Sequence, residues 1–206
     1  MKKHPFITFI TLLIGLSSFF SAMGQGVDLR LLESINGPGS GADGTWRTVS
    51  KSVYITSTLA PATMLVTGLA THNRELTVQA FETGGATLIA AGLTAGLKKI
   101  THRERPYLAH PDVIFGKSSS PDYSFPSGHT SVAFATATSL SLAFPKWYVI
   151  APSFAYAGAV GYSRMYLGVH YPSDVLAGAV VGTGSAFLTW KLQKLLNKKY
   201  HYHQDN

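Results

Sequence analysis

The sequence predicts an all-α fold, a membrane-embedded helical bundle of about five to six helices. Three observations carry this. Apolar runs of helical length recur along most of the chain. Hydrophobic residues reach 46% while charged residues make up only 13%, about half the charged share of an ordinary soluble protein. The strongly polar residues collect where apolar runs begin or end, rather than inside them.

The first element is an apolar run from Pro5 to Phe20, preceded by Met1-Lys2-Lys3-His4 and followed by the small residues Ala22 and Gly24. Residues 1–24 therefore read as an export signal or a first membrane helix, and both direct the chain out of the cytoplasm. Residues 25–206 are the length of one domain. Gln25 to Arg47 holds the breaker cluster Asn36-Gly37-Pro38-Gly39-Ser40-Gly41 and is expected to be an extracytoplasmic loop with a short amphipathic stretch. Five apolar segments follow, at Val53 to Thr71, Thr77 to Leu97, Thr130 to Phe144, Trp147 to Tyr162 and Val175 to Trp190. They are rich in Ala, Gly, Ser and Thr, the composition of closely packed membrane helices and equally of a buried helical core in water. Several are near or below the roughly 17 to 25 residues needed to cross a bilayer, and Glu82 interrupts the second.

In a membrane topology, the short basic loops at His72-Asn73-Arg74 and Pro145-Lys146 and the tail from Lys191 to Lys199 face the cytoplasm. Lys98 to Pro126 and Ser163 to Asp174 then fall together on the opposite side. The net charge of +7 suits an anionic partner, and the absence of cysteine excludes disulfides, thiolate metal sites and cysteine nucleophiles.

Three polar clusters carry the chemistry. Lys98-Lys99-Ile100-Thr101-His102-Arg103-Glu104-Arg105-Pro106 places a lysine and an arginine at a helix exit, where Pro106 turns Arg105 out of helix. Ser124-Phe125-Pro126-Ser127-Gly128-His129-Thr130 opens an apolar segment. Ser127 can cap it, Gly128 admits close approach of a ligand, and the free amides of the first turn form an anion site. His129, in the same turn, can donate a proton to a leaving oxygen. In Ser163-Arg164-Met165-Tyr166-Leu167-Gly168-Val169-His170-Tyr171-Pro172-Ser173-Asp174, Pro172 marks a helix start with His170 just before it and Asp174 in its first turn. A carboxylate holding one ring nitrogen leaves the other free as a nucleophile.

In that order and spacing, the three clusters resemble the signature of the phosphatidic acid phosphatase type 2 (PAP2) superfamily. Every motif position matches, from Lys98 to Asp174, and Tyr166 to Asp174 is similar to the membrane branch. The resemblance implies a PAP2/haloperoxidase-like helical core and phosphate oxygens bound by Lys98, Arg105 and Arg164, with Ser127 and the Gly128 amide completing the cradle. It further implies His170 as nucleophile, Asp174 orienting it and His129 as proton donor and then base, with no metal and no other cofactor. Lys99, His102 and Arg103 lie outside the motif and are expected to be field-setting or interfacial charges.

The expected partner is a phosphorylated lipid or small phosphoester, with a membrane and without nucleic acid. Candidate substrates are undecaprenyl diphosphate, phosphatidylglycerol phosphate, phosphatidate and the lipid A phosphates. The expected location is the bacterial inner membrane with the site facing the periplasm. The alternatives are a soluble periplasmic acid phosphatase, a vanadium-dependent haloperoxidase and a non-catalytic anion-binding membrane protein.

Overall fold

The computed structural model describes residues 25–204; the export segment or first membrane helix expected at residues 1–24 lies outside the described residues. Among the described residues the regular elements are all helical: α1 (Gln25–Ile35), α2 (Asp43–Ala70), α3 (Arg74–Thr101), α4 (Pro106–Ala109), α5 (Gly128–Ala143), α6 (Trp147–Tyr166) and α7 (Pro172–Gln204).

The five expected segments fall on helices, with only Thr71 and Phe144 one residue past a helix end, but several helices run further. Gln25–Ile35, read as part of a loop, is helical, and α2 starts at Asp43, well before Val53. The polar residues that hid this start have partners at one end of the bundle. Arg47 Nε donates to the carbonyl of Lys117 at 2.9 Å, and Ser50 is buried against Arg164. Glu82 does not interrupt α3, because it is only half-buried and one acid on a partly open face leaves the helix intact.

Local chemistry sets the ends. Asn73 caps α3 by accepting the Leu76 amide at 3.0 Å, and Lys98 and Lys99 oppose the dipole in its last turn. His102 closes it in the left-handed region at φ 48°. Pro106 and Pro172 stand at the first positions of α4 and α7, where a missing amide hydrogen costs nothing.

At 16 residues α5 is the shortest of the bundle helices, about 24 Å long. It is also the central one, packed against α2, α3, α6 and α7. A helix shielded by its neighbours need not match the bilayer itself, which accounts for the short apolar run at Thr130 to Phe144. The packing is close because the buried residues are small. Ala135 of α5 clusters with Ala86, Ala90 and Ala186, and Ala133 and Ala137 with Val53, Ala157 and Val160. Between α5 and α7 the backbones nearly touch: a Cβ at Gly182 would lie 2.1 Å from the Ser131 carbonyl oxygen, and one at Gly178 would lie 2.6 Å from that of Ser127.

The outer faces are apolar. Ile55, Leu59, Val66 and Leu69 of α2 and Leu176, Val180 and Phe187 of α7 are exposed. Among the described residues two helices, Asp43–Ala70 and the Pro172–Leu196 part of α7, are long and apolar enough to cross a membrane, and only 22% and 28% of their most apolar windows is buried within the fold.

Candidate active site

The three clusters meet at one end of the bundle, formed by the exit of α3, the entry of α5, the exit of α6 and the entry of α7. Gly168, at φ 72°, turns the chain from α6 towards His170 in a left-handed conformation; a Cβ there would meet the Phe115 carbonyl oxygen at 2.5 Å.

Arg105 is buried and spreads its donors widely. Its Nε donates to the Asp122 carbonyl at 2.8 Å, Nη1 to the Val169 carbonyl at 2.7 Å, and Nη2 to Ser120 Oγ at 3.0 Å and to the Asp122 carboxylate. Lys98, also buried, donates to the Tyr123 carbonyl and pairs with Asp122 Oδ2 at 3.2 Å. Arg164 is buried with Nη1 donating to Ser50 Oγ at 2.5 Å, and its Nε has no partner among the described residues.

His170 is buried in the loop between α6 and α7. Its Nε2 lies 3.2 Å from Arg105 Nη1. A guanidinium nitrogen only donates, so Nε2 carries the lone pair and the ring proton sits on Nδ1. Nδ1 lies 3.4 Å from Asp174 Oδ2, near the carboxylate but not aligned as a hydrogen bond. Burial first, then the charges of Arg164, Arg105 and Lys98, hold the imidazole pKa well below its ordinary value. His170 is thus a neutral base whose Nε2 lone pair is turned towards the cations and accepts from Arg105.

Asp174 is fully buried. Its Oδ2 accepts the Tyr171 amide at 2.9 Å and its Oδ1 accepts from Arg103 Nη1 at 2.7 Å. Its main-chain carbonyl accepts the Ser127 amide at 3.0 Å, tying the start of α7 to the start of α5. Ser127 occupies the N-cap position of α5, but its side chain makes no capping bond; Ser127 Oγ instead accepts from Thr130 Oγ1 at 2.9 Å. Gly128 has no steric need inside the fold, since a Cβ would meet only Thr94 at an ordinary 3.5 Å. His129 is half-buried with its ring edge-on to Tyr54, centroids 4.9 Å apart.

All eight expected site residues therefore lie at this end. Of the charges outside the motif, Lys99 and His102 are exposed, whereas Arg103 turns inward and pairs with Asp174. Asp28, Ser50 and Asp122 were missed as members of the site. Asp28 and Ser50 are far in sequence from the groups they touch, and Asp122 lies in an irregular loop without a spacing to mark it.

A family model described as the PAP2 superfamily matches residues 79–198. The undecaprenyl-diphosphatase of Sulfolobus acidocaldarius is 43% identical over 72 residues, covering 35% of this chain and 34% of that protein. The lipid A 1-phosphatase of Rhizobium johnstonii is 36% identical over 108 residues, 50% of this chain and 43% of that protein. The chain thus spans less than half the length of these two relatives. The crystal structure of the first transmembrane PAP2 type phosphatidylglycerolphosphate phosphatase from Bacillus subtilis superposes over 91% of this chain and 95% of its own, with a TM-score of 0.68 and 21% identity, which marks a shared fold. With the family model covering more than half of the chain, from α3 into α7, this protein belongs to the PAP2 superfamily.

Proposed function

We propose that this protein is a phosphatase of the PAP2 type that hydrolyses phosphate monoesters or diphosphates of membrane lipids through a phosphohistidine. The observation that carries this is the orientation of His170: its Nε2 lone pair faces Arg105, while Nδ1 backs onto the buried Asp174. A neutral nucleophile among fixed cations is what attack on an anionic phosphoryl group needs.

In this reading Lys98, Arg105 and Arg164 hold the phosphoryl oxygens with the Ser127 hydroxyl and the Gly128 amide. His170 Nε2 bonds to phosphorus as the bond from phosphorus to the leaving oxygen breaks, and His129 gives that oxygen a proton. Water then attacks the phosphohistidine, His129 takes its proton, the phosphorus–nitrogen bond breaks, and inorganic phosphate leaves.

Lipid substrates are supported by the named relatives, which act on undecaprenyl diphosphate and lipid A, and by the exposed apolar faces of α2 and α7. A soluble acid phosphatase would bury those faces. We read α2, α3, α5, α6 and α7 as the membrane-spanning part of one phosphatase domain, residues 25–206, with the site on the periplasmic side of the bacterial inner membrane. Residues 1–24 are its export signal or a further membrane helix.

The test is phosphate release by detergent-purified protein from lipid phosphates, lipid diphosphates and soluble phosphoesters, with a metal chelator present. The expected result is chelator-resistant release that prefers lipids and is lost in His170→Ala. Unchanged release in His170→Ala would sink the mechanism, and elution from membranes by high salt alone would sink the membrane assignment.

A further inference from the structure

One buried charge cluster touches the proposed machinery without a part in the steps above. Asp28, on α1, is 6% exposed. Its Oδ2 pairs with Arg103 Nη2 at 2.8 Å and also accepts the Ser173 hydroxyl, while its Oδ1 accepts the Ser173 amide at 2.9 Å. Through its other nitrogen, Arg103 Nη1, the same guanidinium reaches Asp174 Oδ1 and Ser173 Oγ, each at 2.7 Å, and it lies over the Tyr171 ring at 3.9 Å. Asp28, Arg103, Asp174 and His170 thus form one continuous line of charged and titratable groups. Its first member lies well outside the segment that matches the family model.

The signs of these charges matter. Asp174 with Arg103 alone is a neutral pair, and the field of such a pair on His170 largely cancels. Asp28, on the far side of the shared guanidinium, leaves the trio with a net negative charge. His170 is neutral before attack and gains positive character as its Nε2 bonds to phosphorus. A net negative charge behind Nδ1 therefore stabilises the transition state more than the ground state, which is the condition for accelerating the step. The fork geometry of arginine lets one cation hold two carboxylates in fixed positions, where a lysine ammonium offers a compact charge without a rigid fork.

We infer that Asp28 and Arg103 are positioning residues for the reaction. Arg103 fixes the Asp174 carboxylate behind His170, and Asp28 offsets the charge of Arg103 so that Asp174 can still support the imidazole as it is phosphorylated. This rests on the phosphohistidine reading above. It also accounts for α1, the helix that delivers one carboxylate to the back of the site.

The experiment compares wild type, Asp28→Asn, Asp28→Glu and Arg103→Lys, each as the full chain in detergent, with phosphatidate and undecaprenyl diphosphate as probes. Thermal unfolding checks each fold. Asp28→Asn is expected to lower kcat roughly tenfold or more, the scale of an outer partner of a reacting group, with KM little changed. Asp28→Glu, which keeps the charge, is expected to recover most of that loss. Arg103→Lys is expected to lose kcat like Asp28→Asn, because a compact charge lacks the rigid fork that holds both acids. Wild-type kcat in a folded Asp28→Asn, equal losses in Asp28→Asn and Asp28→Glu, or a change confined to KM would each overturn the inference while leaving the phosphatase reading standing. If Asp28→Asn does not fold, a folded Arg103→Lys with wild-type kcat overturns it equally. A wild type that releases no phosphate from either probe removes the phosphatase reading, and this inference with it.

Discussion

Nδ1 of His170 stands 3.4 Å from Oδ2 of Asp174, across the single turn that opens α7. The carboxylate is held on its other sides by the Tyr171 amide and by Arg103, so it cannot turn away from the ring. Asp174→Asn would offer an amide that can donate to Nδ1 and place the ring proton on Nε2, where the lone pair is needed. A fall in kcat of roughly 10³ to 10⁴-fold is expected, the scale of a wrong imidazole tautomer behind a nucleophilic step. Steady-state rates with a fold check by thermal unfolding measure it; a loss below tenfold would show that Asp174 does not set the tautomer.

The pH dependence follows from the environment of His170. Burial and the neighbouring cations depress its pKa below the ordinary 6.5, so the neutral nucleophilic form persists into more acidic solution. In a plot of kcat/KM, the acid limb belonging to His170 should therefore lie below pH 6.5. The stability sign agrees. A histidine with a lowered folded pKa takes up its proton first in the unfolded chain, so acidification below pH 6.5 weakens the fold. Rate profiles and melting temperatures across that range test both statements, and a His170-dependent limb above pH 6.5 would contradict them.

Asp122 already holds two of the cations that the proposed mechanism gives to phosphate. Its carboxylate pairs with Lys98 at 3.2 Å and with Arg105, yet its side chain remains 48% exposed and so can leave. Burial opposes its ionisation, but the Ser120 hydrogen bond and the charges of Lys98 and Arg105 outweigh that and hold its pKa well below the usual carboxylate range. Asp122→Asn should lower KM and tighten inhibition by inorganic phosphate by a few-fold to about tenfold, on the order of 1 kcal/mol for releasing a partly exposed ion pair. Weaker phosphate inhibition in this variant would instead show that Asp122 organises the cations for substrate.

At Gly182 the backbones of α5 and α7 leave no space for a side chain: a methyl there would strike the backbone of Ser131 and Ala135, at 2.1 and 2.8 Å. Gly182→Ala should cost about 1–3 kcal/mol of stability, because backbone has no rotamer with which to retreat. A melting temperature equal to wild type would contradict the packing described.

Much of the candidate site was legible in the sequence, because polar groups at helix ends announce themselves by local order. Pro106, Pro126 and Pro172 punctuate the chain beside Arg105, Ser127 and Asp174, and those positions lie at the expected ends. The helices were legible in their apolar middles and not at their edges. Asp43 to Ser52 reads as polar because Arg47 and Ser50 have partners in the 117 and 164 regions, information that a local pattern does not hold. Arg103 looked like an interfacial charge for the same reason, its acids lying at positions 28 and 174.

The hydrogen bond from the Ser127 amide to the Asp174 carbonyl, 3.0 Å long, has a mechanical consequence. It makes the entries of α5 and α7 a single part, so a tilt of α7 carries the start of α5 with it and the gap between cradle and nucleophile keeps its width. The opposite side, the irregular chain from Phe115 to Tyr123, is tied in as well: the Phe115 amide donates to Asn36, the Lys117 amide donates to the Leu167 carbonyl, and Asp122 and Tyr123 lean on Lys98 and Arg105. In the proposed mechanism the distance from cradle to nucleophile is then a constant of the frame, present before any substrate arrives.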